Sequence, residues 1–300
     1  MTGVSVVVPT RDRRKLLSET VQSIVDQECA DWELIIVDDA STDDTARYLD
    51  TLTDPRMRWT KHDAVRGVAA ARNTGLGLAT HELVMFVDDD DLLRPTAITH
   101  LRDALMRHPD ALAVSGACRL FHENEDSCRV YRAAAPSLRD IWREVLFGWW
   151  SNSGQNMYRT PVVRAIGGFD VELGAVQDRE LWLQIARRGS VALVPMITME
   201  YRQHSGQMTK RPNIDEERQK IWQRFIASLP PARQREGRRI RRAATWSARS
   251  ESRRSGGQFI AAIGWQLAAI IVAPRLLFSP LTGRPLYWNL KKSLLRRAVP

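Results

Sequence analysis

Cysteine is scarce in this sequence. Only Cys29, Cys118 and Cys128 occur in 300 residues. The number is odd and the spacing is not that of metal ligands, which excludes a disulfide scaffold and a zinc finger and fits a reducing, cytoplasmic setting. Long apolar runs are lacking too. The longest, Phe259–Ala273, has fifteen residues interrupted by Gln266, whereas a bilayer span needs roughly 20. The N-terminus shows no basic segment followed by an apolar stretch and a small-residue cleavage site, so no export signal is expected. Acidic residues are nearly absent from one region: residues 232–300 carry 2 Asp and Glu against 15 Lys and Arg, while residues 1–231 carry 33 against 29. The net charge of +9 therefore hides a mildly acidic body and a strongly basic tail. With 44% hydrophobic residues the body can bury a sizeable core, which excludes disorder as its main state.

What is present first is an alternation of short β-branched runs with amphipathic stretches, the pattern of an α/β fold with a mainly parallel sheet and crossover helices. Strands are predicted at Val4–Val8 (ended by Pro9), Leu34–Val37, Met57–Thr60, Leu83–Val87, Leu112–Cys118, Val191–Val194 and Ile197–Tyr201. Helices are predicted from Leu16 to Gln27, over Thr42–Leu52 with Ser41 as N-cap, over Val68–Ala79, from Pro95 to about Arg107, over Asp178–Arg188 with Gly189 as a left-handed cap, and over Ile214–Leu229. His122–Arg132 reads as a surface loop or hairpin. Pro230-Pro231 punctuates the chain where the charge changes sign. The expected division is thus an α/β domain over 1–229 and a basic, partly amphipathic helical tail over 230–300.

In an open α/β sheet, ligands bind beyond the carboxyl ends of the strands. Three polar groups stand there: Pro9-Thr10-Arg11-Asp12, Asp38-Asp39, and Asp88-Asp89-Asp90-Asp91. Four adjacent carboxylates repel one another, and a divalent cation with hard oxygen ligands, Mg²⁺ or Mn²⁺, relieves that repulsion. The alternative is an acidic helix N-terminus ahead of Pro95. Asp38-Asp39 is equally open to a reading as the acidic lead into a helix.

Six segments in order, VSVVVPTRDR, ELIIVDDASTDDT, RGVAAARNTGLGLA, ELVMFVDDDDLL, IGGFD and QDRELWLQIARRG, resemble the motifs of the family-two, inverting nucleotide-sugar glycosyltransferases with the GT-A fold, across roughly residues 3–210. The resemblance implies that Pro9, Thr10 and Arg11 line a nucleotide pocket and that Asp39 accepts the imide N–H of the base, favouring a UDP-sugar and next a dTDP-sugar. It implies that Arg72 lies near the nucleotide, that Asp88 and Asp89 face ribose and diphosphate, and that Asp90 with His204 holds Mn²⁺ or Mg²⁺. Asp178 falls at the position of the catalytic base. The family's Glu before it is Gln177 here, a change expected to make Asp178 more acidic while leaving a carboxamide to orient an acceptor hydroxyl. Trp149 and Trp150 lie where the acceptor-facing segment begins, and sugars stack on aromatic rings. Gly167-Gly168-Phe169-Asp170 resembles the family's turn that positions the loop carrying the base.

The tail admits two readings. Phe259, Ile263, Leu267, Ile270 and Ile271 share a helical face between Arg- and Lys-rich flanks, which suits the surface of an anionic membrane; a helix docked on the catalytic domain would look the same. Nucleic acid ranks below both, because Arg233–Arg254 contains one aromatic residue, Trp246. The sequence thus points to a cytoplasmic enzyme, at the inner face of the cell membrane, moving sugar from a nucleotide to a glycan or lipid-linked acceptor in envelope or surface glycan synthesis. The rivals are a sugar-phosphate nucleotidyltransferase, disfavoured because PTRDRR lacks glycine, and a non-catalytic nucleotide-sugar-binding protein.

Overall fold

The computed structural model describes residues 2–122, 125–131, 137–148, 151–203, 214–255 and 259–274. The chain divides into two compact units, Met1–Arg139 with Ser151–Arg218, and Asp140–Trp150 with Gln219–Pro300.

The first unit is built on one mixed sheet. Its strands are β1 (Val4–Thr10), β2 (Trp32–Asp38), β3 (Met57–Lys61), β4 (Leu83–Phe86), β5 (Leu92–Leu93), β6 (Ala113–His122), β7 (Glu125–Tyr131), β8 (Ser137–Arg139), β9 (Asn156–Arg159) and β10 (Val191–Gln203). The spatial order is β3-β2-β1-β4-β9-β6-β10-β5, with β7 on β6 and β8 on β10. The nucleus β3-β2-β1-β4 is parallel, and so is β6 with β10, while β9 runs antiparallel between β4 and β6. All seven residues of β1 are buried, as expected of a strand covered on both faces. The helices α1 (Arg14–Val25), α2 (Thr45–Leu49), α3 (Val68–Leu78) and α4 (Ala97–Arg107) connect the early strands, and α5 (Trp142–Phe147), α6 (Thr160–Ile166) and α7 (Gln177–Arg188) follow. Leu17, Val21 and Ile24 of α1 and Ile98, Leu101 and Leu105 of α4 join Val6, Val8, Leu34, Ile36 and Met85 in one apolar core. On the opposite side α3 approaches β1 so closely that a Cβ on Gly75 would stand 2.3 Å from Val7 Cγ1.

The chain runs β1, β2, β3 outward in one direction and then places β4 on the other side of β1. That reversal opens a crevice at the carboxyl ends of β1 and β4. Thr10 ends β1, and Asp88 follows β4 by two residues.

Several expectations need correction. Pro9 does not end β1, which continues through Thr10 in register with Val37 and Asp38. Val7 O accepts from Val87 and Thr10 O accepts from Asp39 N–H, so Pro9 faces the β4 side, beyond that strand's last ladder pair, and its missing N–H costs no bond. Ser41 is not a helix cap. Its Oγ accepts the N–H of Asp12 at 2.9 Å, and α2 starts only at Thr45. Gly189 has φ 175°, extended rather than left-handed; its lack of a side chain lets Leu112 close in, at 3.0 Å from where a Cβ would be. The two short strands expected at 191–194 and 197–201 are one strand, β10, with a register shift between them.

The second unit contains α5 and three longer helices, α8 (Ile214–Ser228), α9 (Pro231–Ser255) and α10 (Phe259–Val272), the first turn of α8 belonging to the first unit. The division therefore lies inside α8, not at Pro230-Pro231. Glu217 accepts the N–H groups of Gly174 and Ala175 at 3.1 and 3.0 Å, which ties the start of α8 to the first unit. Ile226, Leu229 and Leu146 close on Gly237 of α9, and Arg143 pairs with Glu236 at 2.7 Å, which ties the rest of α8 and α5 to the second. Pro231 merely opens α9, where a proline at the first helical turn loses no hydrogen bond. No helix among the described residues is long and apolar enough to cross a membrane.

Candidate active site

The acidic cluster after β4 sits on a ledge at the crevice. Thr10 Oγ donates to Asp89 Oδ2 at 2.7 Å, a buried bond between residues 79 apart. Arg13, just ahead of α1, donates through Nη1 to Asp89 Oδ1 at 3.0 Å and to Asp90 Oδ2 at 2.7 Å. Burial raises the Asp89 carboxyl to about 6 against the opposing pull of Arg13, with the charge of Asp90 adding to the rise. Burial, with the charges of Asp90 and Asp88, pushes Asp91 well above the ordinary carboxylate range. Asp91 Oδ1 accepts the N–H of Arg202 at 3.2 Å, and Arg202 Nε donates to Asp90 O at 3.1 Å. The last residues of β10 thereby hold the back of the ledge.

A second group joins Asp88 to α7. Arg72 of α3, 2% exposed, donates to Asp88 Oδ1 and, at 3.1 Å, to Ser153 Oγ. Its guanidinium lies 5.2 Å from the centroid of Phe169. The glycine pair before Phe169 makes this approach possible. Gly168 has φ 76°, and a Cβ there would stand 2.3 Å from Asn73 Oδ1; with no side chain in the way, Asn73 both donates to Phe169 O and accepts from Phe169 N–H, each at 2.8 Å. Asp178 lies in the first turn of α7, and the charges of Arg72 and Asp88 both act on it. Burial lifts its carboxyl, Arg179 and Arg72 oppose the rise, and the net shift is upward. Burial, with the charge of Asp178, likewise raises the Tyr158 phenol, which stays neutral. Burial lowers Arg179 to about 10, with Asp178 opposing and Arg218 adding to the fall.

Asp39 occupies a third place, the carboxyl end of β2. Its N–H donates to Thr10 O at 2.9 Å. Oδ1 accepts from His62 Nδ1 at 2.7 Å and from Arg66 N–H at 2.8 Å, and Oδ2 accepts from Gly67 N–H at 2.8 Å. Burial would raise this carboxyl, but the three donors outweigh it and hold the group below its ordinary value. One lone pair on Oδ2 remains to meet an incoming donor.

Of the residues singled out from sequence, Pro9, Thr10, Asp88, Asp89, Asp90, Arg72 and Asp178 converge on the crevice. Arg11 does not join them: its side chain is half exposed and pairs with Asp12 at 3.4 Å. Gln177 is 2% exposed, with Oε1 unpartnered. Trp149, Trp150 and His204 lie outside the described residues. Sequence reasoning missed Arg13, His62, Ser153 and Arg202. Arg13 was visible inside a quoted motif, VSVVVPTRDR, and a search for cations to balance four aspartates would have found it.

Among the described residues no three His, Cys, Asp or Glu side chains converge as a ready metal cage. The donors on the ledge nevertheless suit a hard cation. All are carboxylate oxygens, and Asp91 Oδ2 is buried without a hydrogen-bond partner. Mg²⁺ and Mn²⁺ accept one or two carboxylates and complete their shell with substrate phosphates.

The sequence profile of Glycosyl transferase family 2 matches residues 5–158, from β1 through the acidic ledge to β9. The chain belongs to glycosyl transferase family 2. WcaA of Escherichia coli K12, a glycosyl transferase named for colanic acid biosynthesis, is 27% identical over 188 residues, 61% of this chain and 65% of that one. A protein of Campylobacter jejuni named GalNAc(5)-diNAcBac-PP-undecaprenol beta-1,3-glucosyltransferase is 38% identical over 104 residues, 34% of each chain. The match thus spans just under two thirds of the first relative and about a third of the second. Among solved structures, that of S. aureus TarS 1-349 in complex with UDP-GlcNAc aligns with a TM-score of 0.69 at 17% identity, covering 97% of this chain and 90% of that one. This likeness establishes the GT-A fold for the family-2 chain.

Proposed function

We propose that this chain is a metal-dependent, inverting glycosyltransferase that moves a sugar from a nucleoside diphosphate, UDP first and dTDP next, to an acceptor hydroxyl. The observation that carries the reading is Asp178: a carboxylate in the first turn of α7, lifted above its ordinary range, electrostatically coupled to Arg72, which is bonded to Asp88. A base of raised pKa is better matched to removing a proton near neutral pH than a solvent-exposed aspartate.

Inversion requires the acceptor oxygen to attack the anomeric carbon from the face opposite the departing diphosphate. Asp178 takes the acceptor's proton as that bond forms. Arg72 holds Asp88 in place for the ribose, and Thr10 holds Asp89 toward the diphosphate. The remaining lone pair of Asp39 Oδ2 meets the imide N–H of the base, which is the feature favouring uracil or thymine. Trp149 and Trp150 offer stacking surfaces to the acceptor, and Gln177, buried beside Asp178, would have to turn its Oε1 outward to reach it. Asp90, with His204, would hold Mn²⁺ or Mg²⁺, which when bound supplies charge neutralisation for the leaving diphosphate.

The names of the relatives support an envelope glycan or lipid-linked acceptor. Contact with an anionic membrane is supported by α9, where Arg235, Arg238, Arg239 and Arg242 are exposed while Gly237, Ile240, Ala243, Ala244 and Ser247 are buried, and by Leu267 and Ile271 of α10, 44% and 73% exposed. These features support a location at the inner face of the cell membrane.

Asp178→Asn tests the catalytic reading. Transfer should fall by about 10²–10⁴-fold while UDP binding in Mn²⁺, followed by calorimetry, stays near wild type. A variant that transfers sugar at the wild-type rate overturns the assignment.

A further inference from the structure

Arg13 has no part in the mechanism above, yet it is the cation bonded to the two carboxylates placed nearest the diphosphate and the metal. A single nitrogen, Nη1, reaches Asp89 Oδ1 at 3.0 Å and Asp90 Oδ2 at 2.7 Å. Arg13 is the more exposed partner, at 30% against 7% and 11%, so it can leave toward solvent while the carboxylates stay in place. The backbone that carries it is held. Asp12 has φ 52°, its N–H donates to Ser41 Oγ at 2.9 Å, and its Oδ1 accepts the N–H of Thr42 at 2.7 Å. These bonds latch the loop after β1 to the loop after β2, so the side chain can move while its origin does not.

A guanidinium and a divalent cation on the same carboxylate repel each other. The repulsion is relieved when a doubly charged diphosphate arrives, because the freed guanidinium finds phosphate oxygens as good as the carboxylates it left. We propose that Arg13 is a positioning residue that couples cation binding to donor binding: it neutralises Asp89 and Asp90 in the donor-free protein, and it turns to the donor's diphosphate when the cation takes Asp90. This rests on the reading that Asp90 holds the cation. The consequence is that cation and nucleotide load together, and the ledge holds the metal weakly by itself.

The test is Mn²⁺ titration by electron paramagnetic resonance or calorimetry, with and without UDP, on the wild type, Arg13→Gln and Asp90→Ala. In the wild type UDP should tighten Mn²⁺ by at least about tenfold, a readout that depends on no variant. In Arg13→Gln, Mn²⁺ alone should bind tighter than to the wild type by a similar factor, UDP should bind more weakly at saturating Mn²⁺, and the coupling should fall below the wild-type value without vanishing, because the cation also meets the diphosphate directly. Unchanged or weaker Mn²⁺ binding by Arg13→Gln, or wild-type protein in which UDP leaves Mn²⁺ affinity unaltered, overturns the role of Arg13. Asp90→Ala separates the two ideas: if it leaves Mn²⁺ affinity at the wild-type value, the metal reading itself fails, whereas loss of binding there with no effect of Arg13→Gln refutes the coupling alone.

Discussion

Replacing Arg72 with methionine removes a cation while keeping an unbranched side chain in a site that is 2% exposed. Breaking a buried ion pair from one side costs about 3–5 kcal/mol when the remaining charge stays dry. Asp88 keeps 32% of its side-chain surface exposed, so water can resolvate it, and the expected loss is nearer ~2–3 kcal/mol. That leaves the first unit folded within the ordinary stability range of about 5–15 kcal/mol. The functional effect follows from charge. Arg72 is one of two cations that hold the Asp178 carboxyl down against burial. Without it the carboxyl rises further, and because the base works only when ionised, the acid limb of kcat/KM must move to higher pH. Loss of the bonds to Asp88 and Ser153 also loosens the contact with ribose proposed for Asp88, which should cost about 10²-fold in kcat/KM near neutral pH. Urea unfolding measures the first effect, and turnover of a nucleotide sugar from about pH 5 to 9 the second. Arg72→Lys, which keeps the charge without the fork, should restore the acid limb but not the full rate. A methionine variant that is destabilised as expected yet keeps the wild-type acid limb would refute the electrostatic link to Asp178.

Two further perturbations probe other parts of the molecule. Glu33 Oε1 accepts the Ser5 hydroxyl at 2.6 Å and the N–H and hydroxyl of Thr80 at 2.7 and 2.8 Å; burial raises its carboxyl, but these donors outweigh it and leave it below the ordinary value. Glu33→Gln should therefore cost about 2 kcal/mol near pH 7. A depressed folded pKa gives stability that is present above the unfolded value and lost as pH falls through the folded one, so the penalty should shrink in urea melts run near pH 3. A penalty independent of pH would count against this reading. In α9, converting Arg235, Arg238, Arg239 and Arg242 together to glutamine should weaken co-sedimentation with anionic vesicles by roughly 10³-fold at low salt, at about 1 kcal/mol per charge. Equal sedimentation would leave the helix with no membrane role.

The ledge was legible because its chemistry is local. An apolar run, LVMFV, ends directly in four aspartates, and in a parallel sheet that position faces the crevice. Asp178 was singled out by resemblance, and its expected place at the start of a helix with clear 3.6-residue periodicity is where α7 begins. Ser41 was misread because Ser ahead of an acidic turn is also what a helix cap looks like, and only the approach of the β1 loop, 29 residues earlier, claims its hydroxyl instead. The boundary at Pro230-Pro231 was misplaced for a similar reason. A change of charge marks where a surface changes, whereas Leu146, Ile226 and Gly237 mark where a core closes, and these are far apart in the chain.

The amino-acid order by itself determined the strands β1 to β4 with the helices between and after them, the acidic ledge and the split between an acidic body and a basic tail, since each rests on residues within a few positions of one another. Only the tertiary structure decided which charge meets which: Arg13 with Asp89 and Asp90, Arg72 with Asp88 and Ser153, Asp39 with His62. Most of these pairs are separated by 76, 77 and 81 residues, and those of Arg13 exist because β1 lies directly beside β4, a strand order that no local pattern encodes.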